Sequence, residues 1–162
     1  VALCFVGKIG WKTEKLIERI KQHPQLNKRL FMFNDLSDRE LEYCYSHSRA
    51  LVFPSYVEGF GLPLVEAMQR GLPAMASDIP VFREIGGDSM AYFGLSEPES
   101  LCRLVRRFEG SGQFPAPISL DNWSWLSWSD SAMQLIGRVQ GQTKRQQAAR
   151  ASIKSNADYG RP

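Results

Sequence analysis

The sequence predicts an α/β domain in which a parallel sheet carries helices on both faces. Three observations lead there. Short apolar runs alternate with helix-period segments from Ala2 to Phe108. The runs are continuously apolar, as strands buried on both faces are. Glycine, proline and small polar residues punctuate the junctions between runs and helices. With 162 residues, 43% hydrophobic and 23% charged, the chain can bury a core, and its composition is not that of a disordered or coiled-coil protein.

Taken in order, Ala2–Val6 is a strand ending at Gly7. Leu16, Ile17 and Ile20 then recur at helical spacing through Thr13–Gln22, and His23-Pro24 closes that helix. Arg29–Phe33 is the second strand. Ser37-Asp38-Arg39-Glu40 has the form of a capping box and opens a helix to about His47. Ala50–Phe53 is the third strand, broken by Pro54-Ser55. Pro63 stands at a favoured first helical position, and the helix through Val65–Arg70 stops at Gly71. Pro73–Ala76 is a short fourth strand, Pro80–Ile85 one or two helical turns, and Met90–Phe93 a fifth strand. Glu99–Phe108 is a helix with Leu101, Leu104, Val105 and Phe108 on one face. Gly110–Pro117 is a linker leading to a last helix from about Trp128 to Val139. The expected organisation is a Rossmann-like doubly wound domain over 1–140 and a basic, flexible tail over 141–162.

Charge and cysteines narrow the function classes. The net charge is +3, but residues 138–162 hold six of the 20 Lys/Arg and one of the 17 Asp/Glu, leaving 14 basic against 16 acidic residues ahead of them. A body near neutrality gives no footprint for a nucleic acid. Cys4, Cys44 and Cys102 lack paired spacing and are expected to be buried free thiols. No Asp-x-Asp pair or His/Asp cluster suggests a metal, and no cofactor is expected. No apolar stretch reaches the roughly 20 residues of a membrane helix, so a cytoplasmic location is expected.

Ligands of such sheets bind at the carboxyl ends of the strands. The informative loop there is Pro54-Ser55-Tyr56-Val57-Glu58-Gly59-Phe60-Gly61-Leu62-Pro63-Leu64-Val65-Glu66-Ala67. It sets two carboxylates eight positions apart, one in the loop and one a turn inside the helix. Gly59 and Gly61 between them let backbone N–H groups approach a ligand, and the helix start adds free donors and positive dipole. That combination suits a phosphate or diphosphate, with Glu66 able to accept from ribose hydroxyls. The plainer alternative is a solvated loop acid and a dipole-favoured helix acid.

The run strand, Pro-Ser, x, x, Glu-Gly-Phe-Gly-Leu-Pro, x, x, Glu-Ala resembles the E-x(7)-E signature of retaining glycosyltransferases of the two-domain GT-B fold, of bacterial polysaccharide and O-antigen type. The likeness extends over about residues 3–140, taking in Val6-Gly7-Lys8, Ser77–Asp88 and Trp128. The resemblance implies that Glu58, Gly59, Phe60, Gly61 and Leu62 hold the donor sugar and diphosphate, with Gly7 nearby, and that Glu66 binds the ribose. It further implies a basic pair in the first βα loop. Lys8 takes the place of the family's usual arginine, and Lys12 follows four residues on, where the family's spacing is about five. Glu58, Lys8 and Lys12 are the implied catalytic residues.

The implied function is transfer of a sugar, mannose by family likeness, from a GDP- or UDP-linked donor to a glycan or lipid-linked acceptor, without metal. The partners are then the nucleotide sugar and an N-terminal acceptor domain absent from these residues, with the whole enzyme peripheral at the inner membrane face. The 162 residues alone are expected to bind nucleotide weakly, to transfer little sugar, and to self-associate weakly through apolar surface on residues 128–140. The alternative is a non-catalytic binding or scaffold domain. His23 and His47 are expected on the surface, Trp123, Trp125 and Trp128 as anchors of the last helix, and Asp78 with Arg83-Glu84 as either surface pairs or ligand contacts.

Overall fold

The computed structural model describes residues 1–141, so the tail expected over 141–162 lies, Gly141 apart, outside the described residues. Two compact units divide between Trp123 and Ser124. The first holds five βα repeats: β1 (Leu3–Val6), α1 (Glu14–Lys21), β2 (Leu30–Phe33), α2 (Asp38–His47), β3 (Leu51–Phe53), α3 (Leu62–Gln69), β4 (Ala74–Ser77), α4 (Pro80–Gly86), β5 (Ala91–Phe93) and α5 (Pro98–Ser111). The second is helical over 128–141, where Trp128, Met133, Leu135, Ile136 and Val139 are exposed.

Local chemistry accounts for the boundaries. Ser37 opens α2 with both halves of the capping box: its Oγ accepts from the Glu40 N–H at 3.4 Å, and Glu40 Oε2 accepts from the Ser37 N–H at 2.8 Å. Proline stands in the first turns of α3, α4 and α5, where its missing N–H costs nothing. Gly112, in left-handed conformation, ends α5.

All strand pairs are parallel, but the hydrogen-bonded order departs from one continuous sheet. β1 pairs only with β2, and β3-β4-β5 form a second ladder. The core lies in that second group. Met75, Ala91 and Phe93 pack beneath Leu101, Leu104, Val105 and Phe108 of α5, while Tyr45, Ala67 and Leu72 pack with Leu41 and Leu51 on the opposite face. Helices therefore cover both faces, as a doubly wound sheet requires. At about 25 cal/mol per Å² of apolar surface removed from water, it is this half that stabilises the fold.

One expectation changes. Cys4 and Cys102 are exposed and Cys44 half-buried, all free, because the faces of β1 are uncovered and Cys102 lies off the apolar stripe of α5. The Trp123 indole N–H donates to the Ile85 carbonyl at the end of α4 at 2.7 Å.

Tyr92 shows how the interior constrains titration. Its hydroxyl donates to the carbonyls of Gly87 at 2.9 Å and Phe82 at 3.1 Å, and burial pushes its pKa up to about 12, against the nearby Arg83. An unfolded tyrosine titrates near 10. The neutral phenol therefore contributes stability in full below about pH 10, and that contribution fades as pH rises through 12. Thermal unfolding followed from pH 9 to 12 should show a falling midpoint, with a shallower fall in Tyr92→Phe.

Candidate functional site

The loop singled out in the sequence lies where β3 delivers it, beside the carboxyl end of β4. Ser77, the last residue of β4, is fully buried, and its hydroxyl donates to the carbonyl of Ser55 at 2.5 Å and lies 3.4 Å from that of Phe53. Ser55 Oγ in turn donates to Glu58 Oε1 at 2.8 Å. A buried hydroxyl satisfied in this way fixes the exit of β3, and through Ser55 it fixes the first carboxylate. Glu58 is half-buried, and its Oε2 has no partner among the described residues.

Gly61 turns the loop into α3. It caps the helix with φ +85°, a left-handed conformation that a side chain strains. A Cβ there would lie 2.9 Å from Cε1 of Phe82, itself fully buried against Phe53 with ring centroids 5.5 Å apart. The Gly61 carbonyl accepts from the N–H groups of Leu64 and Val65, whereas the N–H groups of Gly59, Gly61 and Leu62 have no acceptor among the described residues. A Cβ on Gly59 would meet nothing within 4 Å. Three donors, the open space beside Gly59 and the positive end of a helix thus lie within one loop, chemistry that can accept an anion. Phe60 and Leu62 are exposed beside it.

Glu66 stands a turn further in, half-buried. The Tyr45 hydroxyl, reaching from α2, donates to Glu66 Oε2 at 3.0 Å. Burial first, and then the adjoining Glu66 carboxylate, hold the Tyr45 phenol well above its ordinary range, so it remains a donor at any physiological pH. Arg70 lies over the Tyr45 ring at 5.0 Å, donates to the Glu66 carbonyl at 2.8 Å and pairs with Glu42 at 2.7 Å. Oε1 of Glu66 has no partner among the described residues and can accept from a ligand hydroxyl.

The lysines occupy another strand end. Gly7 closes β1 with φ +140°, its N–H donating to the Phe33 carbonyl at 3.0 Å, and Lys8 follows, exposed. Lys12 adopts φ +57° and carries its Nζ over the Trp11 ring, 4.1 Å from the centroid. Among the described residues, no hydrogen bond or ion pair joins either lysine to Glu58 or Glu66.

Asp78 and Arg83 form a bidentate pair at 2.7 and 2.8 Å, and the guanidinium holds the Asp78 carboxyl below its usual range while stacking on Tyr92 at 3.8 Å. His23 and His47 are exposed, the latter stacked on Tyr43. Sequence reasoning missed Tyr45, Ser77 and Arg70 as supports of the site. Ser77 had a signal, since a small hydroxyl ends an otherwise apolar strand, but nothing in spacing ties Tyr45 to a glutamate 21 residues on.

The chain matches the family of glycosyl transferases group 1 over residues 1–112. It is 42% identical over 134 residues to the serotype-specific mannosyltransferase WbdA of Escherichia coli, covering 83% of this chain and 16% of that protein. To the O-antigen chain mannosyltransferase RfbU of Salmonella typhimurium it is 32% identical over 121 residues, covering 74% of this chain and 33% of that one. The chain thus spans a third or less of the length of these relatives.

The two glycines separate stability from binding. Gly61→Ala should destabilise the first unit by about 1–3 kcal/mol through strain and the approach to Phe82. Gly59→Ala should stay within about 0.5 kcal/mol. Urea unfolding of the two variants checks both values.

Proposed function

The chain belongs to the glycosyl transferases group 1 family, and from that membership we propose that its first unit is the donor-binding domain of a retaining mannosyltransferase of bacterial polysaccharide synthesis. One observation carries the reading: among the described residues the N–H groups of Gly59, Gly61 and Leu62 have no acceptor, and they lie between two carboxylates, each with one oxygen committed and one without a partner there. The N–H groups take the diphosphate, Glu66 Oε1 the ribose hydroxyls, and Glu58 Oε2 a hydroxyl of the sugar ring. Mannose and its GDP carrier are inferred from the two mannosyltransferases to which the chain is similar.

Transfer is limited by departure of the nucleoside diphosphate, when negative charge grows on the β-phosphate. Donors already fixed by the Gly61 turn stabilise that charge without reorganising, the logic of an oxyanion hole. Lys8 is the proposed cation facing the diphosphate from the end of β1, and Lys12 adds field from its place on Trp11. A point charge close to the leaving group relieves the same charge a metal would, so the proposed reaction needs none. The acceptor, a glycan or lipid-linked sugar, is proposed to bind a further domain, with the whole enzyme peripheral to the membrane. Among the described residues no helix is long and apolar enough to cross one.

Calorimetric titration with GDP, UDP and their sugars tests the site. GDP and GDP-mannose should bind, and Glu66→Ala should weaken binding by about tenfold or more, the worth of a hydrogen bond to a charged group. Lys8→Ala should weaken the diphosphate more than the nucleoside. Failure of every nucleotide to bind a folded protein would favour a scaffold role for the same fold.

A further inference from the structure

Helical spacing alone would tie up Glu66. Arg70, at the end of α3, stands four residues beyond it, and an acid followed four residues later by a base is the order in which such pairs attract best. A guanidinium presents a flat fork to a carboxylate, so a bidentate pair would occupy both oxygens of Glu66.

Among the described residues that pair does not form. Arg70 Nε donates instead to Glu42 Oε2 at 2.7 Å, and its Nη1 donates to the Glu66 carbonyl at 2.8 Å. Glu66 Oε2 accepts from the Tyr45 hydroxyl at 3.0 Å, and its Oε1 keeps no partner there. Glu42 and Tyr45 lie three residues apart on α2 and therefore on one face of it. Two helices thus exchange two bonds, and each bond removes one member of the pair that α3 alone would make.

The four groups share one electrostatic neighbourhood. After burial, both carboxylates raise the Tyr45 pKa, and Arg70 lowers it. Two acids compete for one cation, and the cation goes to the acid outside the proposed donor site. An exposed pair such as Arg70 and Glu42 adds little to stability, so its consequence lies in where it leaves the guanidinium. That place is over the Tyr45 ring, 5.0 Å from its centroid, where the ring face attracts a cation.

We propose that Glu42 is a positioning residue for ribose recognition: it holds Arg70 on the Tyr45 ring and off the Glu66 carboxylate, leaving Glu66 Oε1 open to the hydroxyls of a nucleotide ribose. Glu42 acts through Arg70 and touches no ligand. The inference rests on the donor-site reading and adds to it what keeps the ribose acceptor available.

The test compares binding of GDP and 2′,3′-dideoxy-GDP by calorimetry, because only GDP offers Glu66 its hydroxyls. The unsubstituted protein should prefer GDP by about tenfold or more. Glu42→Gln keeps the shape of the side chain and removes its charge, so Arg70 turns to Glu66. The preference should then fall by about threefold, the strength of an exposed ion pair, through weaker GDP binding with the dideoxy compound unchanged. Adding Arg70→Met, whose unbranched chain still covers the Tyr45 ring, should restore the preference. A merely structural role for Glu42 would weaken both compounds alike and lose more in the double variant. If the unsubstituted protein binds neither compound, the donor-site reading falls and this proposal with it. If it prefers GDP and Glu42→Gln prefers it as strongly, or the double variant does not recover, this proposal alone is overturned. Should the double variant fail to fold, Glu42→Asp decides: retaining the charge, it should keep more of the preference than Glu42→Gln, and the reverse order refutes the proposal.

Discussion

The contact between Gly61 and Phe82 is the constraint from which the site follows. Phe82 is fully buried and lies against Phe53, so its ring cannot retreat. The chain leaving β3 must therefore pass it without a side chain and in left-handed conformation. That turn starts α3 where it does, sets Leu62 and Pro63 in its first turn, and so decides which N–H groups are left without acceptors. Had the turn come a residue later, Glu66 would face another side of the helix and lose Tyr45. Packing of two aromatic rings in the core thus sets the geometry of a polar crevice outside it.

Most of this was legible. The order of elements, the capping box at Ser37 and Glu40, and the loop with its two carboxylates follow from local signals, because caps, proline positions and apolar runs act over a few residues. The split of the sheet was not legible. Strand order depends on contacts between residues far apart in sequence, and β1 is as apolar as a buried strand whether or not its neighbour is present. The thiols mislead for the same reason: Cys4 belongs to a strand as apolar as a buried one, and its exposure reflects the uncovered faces of β1.

The supports of the two carboxylates differ in a way that suits their proposed tasks. Glu66 is fixed by a phenol from another helix, and that phenol is braced by Arg70, which also binds Glu42. Such a carboxylate keeps its orientation before a ligand arrives, as recognition of a rigid pair of ribose hydroxyls requires. Glu58 is held, among the described residues, by Ser55 of its own loop, which buried Ser77 fixes in turn. Its support thus comes from the strand end beneath it, and Glu66's from a neighbouring helix.

The divided sheet bears on the same chemistry. In a doubly wound fold the crevice opens where strand order reverses. Here Lys8 follows β1 of one ladder and the Gly61 turn follows β3 of the other. A lysine on a half-exposed two-stranded ladder is poorly fixed, whereas Gly61 is fixed by the core. Preorganisation, the source of most electrostatic stabilisation, therefore resides at the Gly61 turn. The proposed donor site thus depends on β3 and α3 together with α2, whose Tyr45 holds Glu66, and the exposed lysine loop adds only field to a turn the core has already fixed.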